Sequence, residues 1–451
     1  MSDYGALTLV PTLVVVMLAL WTHRTIESLI TGTVVGLFLL EPTAPLQLLA
    51  DKSLAVMMNE TVAWIILVCG FMGSLIALFI RTGAIGAFTQ RIIAGVSGRR
   101  GALYTAWVLG IFLFVDDYLN SIAVGAAMRK VTDSYRISRE MLAYVVDSTA
   151  APISVIIPIS TWAVFFGALL VDNGIAPEGE GVQTYIASIP YMFYAWLAFL
   201  IVPFVINGAI PLLGPMRKAE QRAAGGQMVP PDALHIEEAN QSIGVKPGVE
   251  GKTWQFIVPI IVLAASTWYF DLDFLKGIYL TLGLYVLMIA VQRTLTVPET
   301  FDTILDGFKT MLSPLAVLVA AYLLKEMNDE LGLSLYVIEL FTPYLTAKLL
   351  PAAVFVSMAA LSFATGSNWG VFVIVLPIVT SLSAALGADI TLVIGATLSA
   401  STFGSHACFY TDATVLTAQA TGCTPYRHAI TQIPYALIAA AISTLAYLVI
   451  A

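Results

Sequence analysis

The chain has 451 residues, of which 59% are apolar and only 11% charged, with a net charge of −8 and a mean hydropathy of +0.87. Soluble domains average about 25% charged residues, so polar groups here are too few to coat a water-soluble enzyme or nucleic-acid binder of this length. Lipid is the main solvent, and Cys69, Cys408 and Cys423 fit neither a disulfide framework nor a zinc site.

The N-terminal stretch, MSDYGALTLVPTLVVVMLALWTHR, carries an acid and no base before its apolar run. A signal peptide has a basic segment there, so this stretch is expected to remain as a first span. Apolar runs able to cross about 30 Å of hydrocarbon fall near 7–21, 26–40, 61–80, 139–171, 186–207, 254–271, 274–292, 311–328, 390–420 and 428–450. Two further runs, 101–131 and 351–386, are interrupted by Asp116-Asp117-Tyr118-Leu119-Asn120-Ser121 and Thr365-Gly366-Ser367-Asn368-Trp369-Gly370. Each arm alone is short for a crossing. Both runs are therefore predicted to be re-entrant helical hairpins entering from opposite sides, with tips near Asp117 and Asn368. Non-helical backbone survives at mid-bilayer only inside protein or against a water-filled cavity.

Ten full spans, an external N-terminus and two hairpins that return to their starting side put seventeen of the 21 Lys and Arg on the cytoplasmic face. Lys52, Lys276, Lys325 and Lys348 stay outside, which satisfies the positive-inside rule. Both termini are then external to a bacterial inner (plasma) membrane. Lys325 and Glu326 read as a snorkelling pair. The polar stretch at 216–252, with Gly225-Gly226 and Pro230-Pro231, reads as a flexible cytoplasmic connector.

Slid by 249 positions, the two halves present the same order of elements: span, connecting stretch, hairpin, broken span. Their opposite orientation makes this an inverted repeat, the signature of secondary transporters with a site where broken elements meet. The expected organisation is N-terminal scaffold spans (1–58), a first repeat (59–215, hairpin 101–131, broken helix 139–171) and the connector (216–252). Linking spans (253–309) and a second repeat with the last span (310–451, hairpin 351–386, broken helix 390–420) complete it.

The candidate chemistry lies at the interruptions. Asp116 and Asp117 are four and three residues from Asn120, so one helical turn brings either carboxylate beside the amide, with Ser121 next to it. A charge at the membrane centre costs roughly 2.5–3.5 kcal/mol, so such acids point to an ion pathway unless the tip is a solvated surface turn. In YVVDSTAAPISVIIPIS, Pro152 cannot donate to the Ser148 carbonyl, which places that oxygen beside the Ser148 and Thr149 hydroxyls and the Asp147 carboxylate. These are hard oxygen ligands of the kind unwound helices offer to Na⁺. In the second half Ser367, Asn368, Ser401 and Thr402 repeat the theme, and Gly404 is expected to supply the permissive backbone. Proton steps are assigned to Asp117, Asp147, Asp412 and His406, the last alternatively a neutral core residue. Trp162, Trp369, Ser405 and Tyr410 are candidates to line a solute cavity.

The blocks VDDYLNSIAVGAAMRKVTDSYRISREMLAYVVDSTAAPISVIIPIS, TGSNWGVFVIVLPI and SASTFGSHACFYTDATVLTAQATG resemble the NhaC-type Na⁺/H⁺ antiporter family of the ion-transporter superfamily, over roughly 60–450. Relatives exchange sodium for protons or couple them to organic anions such as malate and lactate, and some are linked to tetracycline resistance. The resemblance implies an elevator architecture, with hairpins and broken helices in a moving unit, and a scaffold that forms a homodimer. Superfamily sodium sites use a Ser-Asn-Thr hairpin motif. Here the second hairpin reads Ser367-Asn368-Trp369, without the threonine, and the first substitutes Asp116-Asp117 with Asn120-Ser121.

Two transport functions remain open: Na⁺/H⁺ antiport, and sodium- or proton-coupled carriage of a small organic solute such as a carboxylate, amino acid or drug. An enzyme is disfavoured, because no HExxH, GxSxG or similar constellation accompanies the acids. Na⁺ and H⁺ are the expected coupling ions, with no further cofactor, transition metal or nucleic acid.

Overall fold

The computed structural model describes residues 4–22, 24–114, 117–158, 160–234, 236, 244–246, 248–271, 273–333, 335, 336, 339, 345–366 and 369–451, and every regular element among them is a helix. Val62–Arg81, Phe274–Gln292, Ile390–Thr421 and Pro425–Ile450 are long and apolar enough to cross a membrane. Among the described residues, three bent pairs raise the number to seven if each is one span. In one of them helix Thr25–Leu40 is followed, across Pro42 and Pro45, by Pro45–Met58, turned 119° away.

The 101–131 run is two helices, Gly98–Phe112 and Asp117–Ser134, that fold back on each other. The Tyr135 hydroxyl donates to the Val96 carbonyl at 2.7 Å, and Arg99 donates to the Arg136 carbonyl at 3.3 Å. The two outer ends are therefore side by side; the first arm ends at Phe112 and the returning arm begins at Asp117. Asp117 opens the returning arm, where an acid complements the helix dipole. The 351–386 run is likewise two packed helices, Leu350–Thr365 and Trp369–Leu386, the first ending on Gly366 at φ +64°.

Both expected broken helices are broken. Arg139–Asp147 starts on Ser138, whose hydroxyl accepts from Met141 N, and stops at Ser148. A short helix, Ala151–Ile156, follows, then Thr161–Asp172, capped by Ser160. Pro152 and Pro158 each withhold the N–H that would continue the ladder. The second break separates Ile390–Ala407 from Asp412–Thr421. Its position corrects one expectation: Gly404 lies within the first arm, and the chain opens at 408–411. Gly404 instead permits close packing, since a Cβ there would sit 3.2 Å from Ser362 Cα on the second hairpin.

Two large apolar clusters divide the interior. One joins the first broken helix, Phe193–Asn207, the second hairpin, Ile390–Ala407 and the closing helix Pro425–Ile450. The other joins Glu60–Arg81, Ala84–Gly95, Trp254–Tyr269, Phe274–Gln292 and Leu312–Leu331. Tyr118, Ile122, Ala123, Ala126 and Ala127 of the first hairpin's returning arm pack into this second cluster.

Two charge readings also change. Lys325 pairs with Asp329 at 2.8 Å, one helical turn away, while Glu326 lies 3.9 Å from Lys52, so Lys325 and Glu326 are not each other's partners. The connector is not simply flexible, for its first part is fastened to the first broken helix and its surroundings. Helix Gly214–Ala224 buries Glu220, which accepts from Ser138 N and Oγ and pairs with Arg99. Arg222 grips the buried Glu140 through two bonds, 2.9 and 2.6 Å, and Arg427 donates to Asp232 at 2.9 Å. Further along, Lys246 N donates to the Arg81 carbonyl and Lys246 Nζ meets Glu299 at 2.7 Å. Residues 235, 237–243 and 247 of the connector lie outside the described residues.

Candidate functional site

Asp147 ends the first arm of the broken helix and is fully buried. Its Oδ2 accepts from Gln432 Nε2 at 2.6 Å and lies 3.2 Å from His428 Nε2, both on the closing helix. Its Oδ1 is 3.5 Å from the Thr417 hydroxyl. One residue on, Ser148 Oγ is 2.9 Å from His406 Nε2, and the other nitrogen of that ring is 2.8 Å from the Tyr194 hydroxyl. Hydroxyls both donate and accept, so His406 is satisfied in either neutral tautomer. The Thr149 hydroxyl bonds back to the Val145 and Val146 carbonyls.

The first hairpin closes onto this break. Asn120 Nδ2 donates to the Gly110 carbonyl at 2.7 Å and to the Thr149 carbonyl at 2.6 Å, joining both arms of the hairpin to the first break. Two carbonyl acceptors fix which end of the amide is nitrogen. Asn120 Oδ1 then points away, buried and with no hydrogen-bond partner among the described residues. Gly110 permits the approach, because a Cβ there would sit 2.5 Å from Thr149 Cβ. Ser154 Oγ donates to the Phe114 carbonyl at 3.0 Å near the tip. Asp117 is buried in the first turn of the returning arm.

The second broken helix meets the same hairpin from the other side. Thr417 donates to Ser121 Oγ at 2.9 Å, and the Tyr118 hydroxyl donates to Asp412, which also accepts from Ala413 N at 2.9 Å. At the break, Thr411 and Thr414 both donate to the Ser405 carbonyl, while Ser405 Oγ is buried without a partner among the described residues. The Tyr410 hydroxyl donates to the Ala364 carbonyl at 2.7 Å, at the end of the second hairpin's first arm. Ser401 and Thr402 are buried within Ile390–Ala407, and Thr402 bonds to its own helix at Leu398. Trp162 is fully buried against Phe166 in the apolar core. Asp116, Ser367 and Asn368 lie outside the described residues, as does the side chain of Trp369.

The sequence-predicted Asn120, Ser121, Asp147, Ser148, Thr149, His406 and Asp412 are thus linked through two breaks and one hairpin, with Asp117 buried at the start of the hairpin's returning arm. Sequence reasoning missed His428, Gln432, Thr417, Tyr118 and Tyr194. A signal existed for the first two, since histidine and glutamine four apart in an otherwise apolar span mark one polar face. Nothing local announced that this face meets Asp147.

Buried carboxylates, hydroxyls and free amide oxygens at interrupted helices suit a small hard cation. The sequence model of the Na⁺/H⁺ antiporter family matches residues 178–451. The chain belongs to the Na⁺/H⁺ antiporter family. That match includes the second hairpin, the second break and the closing helix with His428 and Gln432. An uncharacterized protein of Haemophilus influenzae is 28% identical, over 98% of this chain and 90% of its own length. Family membership and the apolar helices make this antiporter-family chain a multi-pass integral membrane protein and a transporter.

Proposed function

We propose that the chain exchanges Na⁺ for H⁺ by alternating access, with Asp147 as the coupling carboxylate. The observation that carries this reading is the burial of Asp147 at a helix break, among groups from the hairpin, the second broken helix and the closing helix. A carboxylate there avoids an unpaired charge by binding a cation or by taking a proton. Competition between those states couples the two ions without a separate gate. Asn120, Ser121, Ser148 and Thr417 supply the nearby oxygens, and Asp117 and Asp412 are further carriers of charge.

In the elevator form of this reading, the hairpins and broken helices move against a dimeric scaffold of 1–58 and the linking spans. The carbonyl bonds from Asn120 and Tyr410 support it, for they bind each hairpin to a break as one unit. The test is sodium-driven dissipation of a pH gradient in everted vesicles, without organic solute. Wild type should respond, Asp147→Asn should not, and Asp117→Asn should be strongly impaired. Wild-type flux and sodium dependence in both variants would refute the site. A gradient that wild type dissipates only with an organic solute present would refute sodium–proton exchange.

A further inference from the structure

Asp147 is held by one oxygen. His428 and Gln432, four residues apart on one face of the closing helix, both address Oδ2. Oδ1 faces Thr417 at 3.5 Å, beyond a strong hydrogen bond, and Thr417 donates at 2.9 Å to Ser121. Gln432 Nε2 also donates to the His406 carbonyl, so its amide touches the first broken helix and the end of Ile390–Ala407 together. Both partners are acceptors, which fixes the amide orientation. Its Oε1 is left buried and without a partner among the described residues.

We infer that His428 and Gln432 are positioning residues that fasten Asp147 by Oδ2 and present Oδ1, with Thr417 and Ser121, to the cation. The inference rests on the sodium reading above. A carboxylate without the two donors rotates about its last torsion, a broad two-fold well, and either oxygen then meets the ion. Fastening one oxygen removes that freedom before the ion arrives, which tightens binding by preorganisation. Since the same amide holds the His406 carbonyl, the carboxylate's orientation and the position of the second break are set together.

The test uses the full chain in lipid nanodiscs and proteoliposomes. Sodium-dependent thermal stabilisation is read with NaCl against choline chloride at constant ionic strength, and sodium-driven proton flux is read as KM and maximal rate. Gln432→Met and His428→Leu remove a donor, while His428→Gln retains one. The donor-less variants should raise the half-maximal sodium concentration and KM about tenfold, with the maximal rate changed less than about twofold. His428→Gln should stay within about threefold of wild type. If Gln432→Met does not fold, the contrast between His428→Leu and His428→Gln decides alone.

Unchanged half-points in the donor-less variants, or equal rises in His428→Gln and His428→Leu, would overturn the clamp. With Asp147→Asn unresponsive in the same assays, the sodium reading would still stand. A wild-type chain indifferent to sodium would overturn both.

Discussion

Gly110→Ala tests whether the first hairpin must rest against the first break. The added methyl carbon would sit 2.5 Å from Thr149 Cβ, closer still to its hydroxyl, and 3.4 Å from Asn120 Oδ1. Ordinary contact begins near 3.4 Å, so hairpin and break must part by about 0.9 Å to clear the Cβ and about 1.4 Å to clear the hydroxyl. Thr149 cannot simply rotate away, because its hydroxyl is bonded to the Val145 and Val146 carbonyls. The separation falls on the two bonds that Asn120 makes, 2.7 Å to Gly110 and 2.6 Å to Thr149, and stretches at least one beyond useful length. Overpacking of this kind costs about 1–3 kcal/mol, which a chain of this size survives. The consequence for transport should be larger, since misplacing reacting groups by about 1 Å can cost on the order of 10²-fold. The expected result is a folded protein with a slightly lowered unfolding temperature and sodium-driven flux reduced by about 10- to 100-fold. Wild-type flux with wild-type sodium affinity would show that hairpin and break need not touch, and would refute the reasoning.

Other outcomes follow from the packing. Glu140→Gln leaves the Arg222 guanidinium without its buried carboxylate; breaking such a pair costs about 3–5 kcal/mol, and the 18% exposure of Arg222 puts the loss near the lower end. Thermal unfolding in mild detergent should show it, and the double variant Glu140→Gln/Arg222→Met should be at least as stable as the single one. Gly404→Ala drives a methyl into the Ser362 backbone at 3.1–3.2 Å, so the second hairpin should loosen from Ile390–Ala407 at a cost of about 1–3 kcal/mol. Thermal unfolding in mild detergent should reveal that loosening, and an unfolding temperature equal to wild type would argue against it.

The sequence by itself determined the solvent, the helical class and the break after Asp147. Charge scarcity demanded lipid, and Pro152 and Pro158 forbade an unbroken helix whatever its neighbours. The polar cluster at Asp117–Ser121 marked an interruption in an apolar run, and the structure makes it the opening of the returning helix. These are properties of composition and of single backbone positions, legible one residue at a time. What the tertiary structure decided was partnership. Only packing brought the closing helix to Asp147, so that His428 and Gln432 address one carboxylate oxygen, because long-range contacts leave no trace in local periodicity. Only packing fastened the start of the connector, since Glu220 and Arg222 carry the same charges in a linker as in a buried pair. The second break likewise fell at 408–411 rather than at Gly404, because glycine's freedom is used there for close approach to Ser362, and the local sequence cannot say which use a fold will make of it.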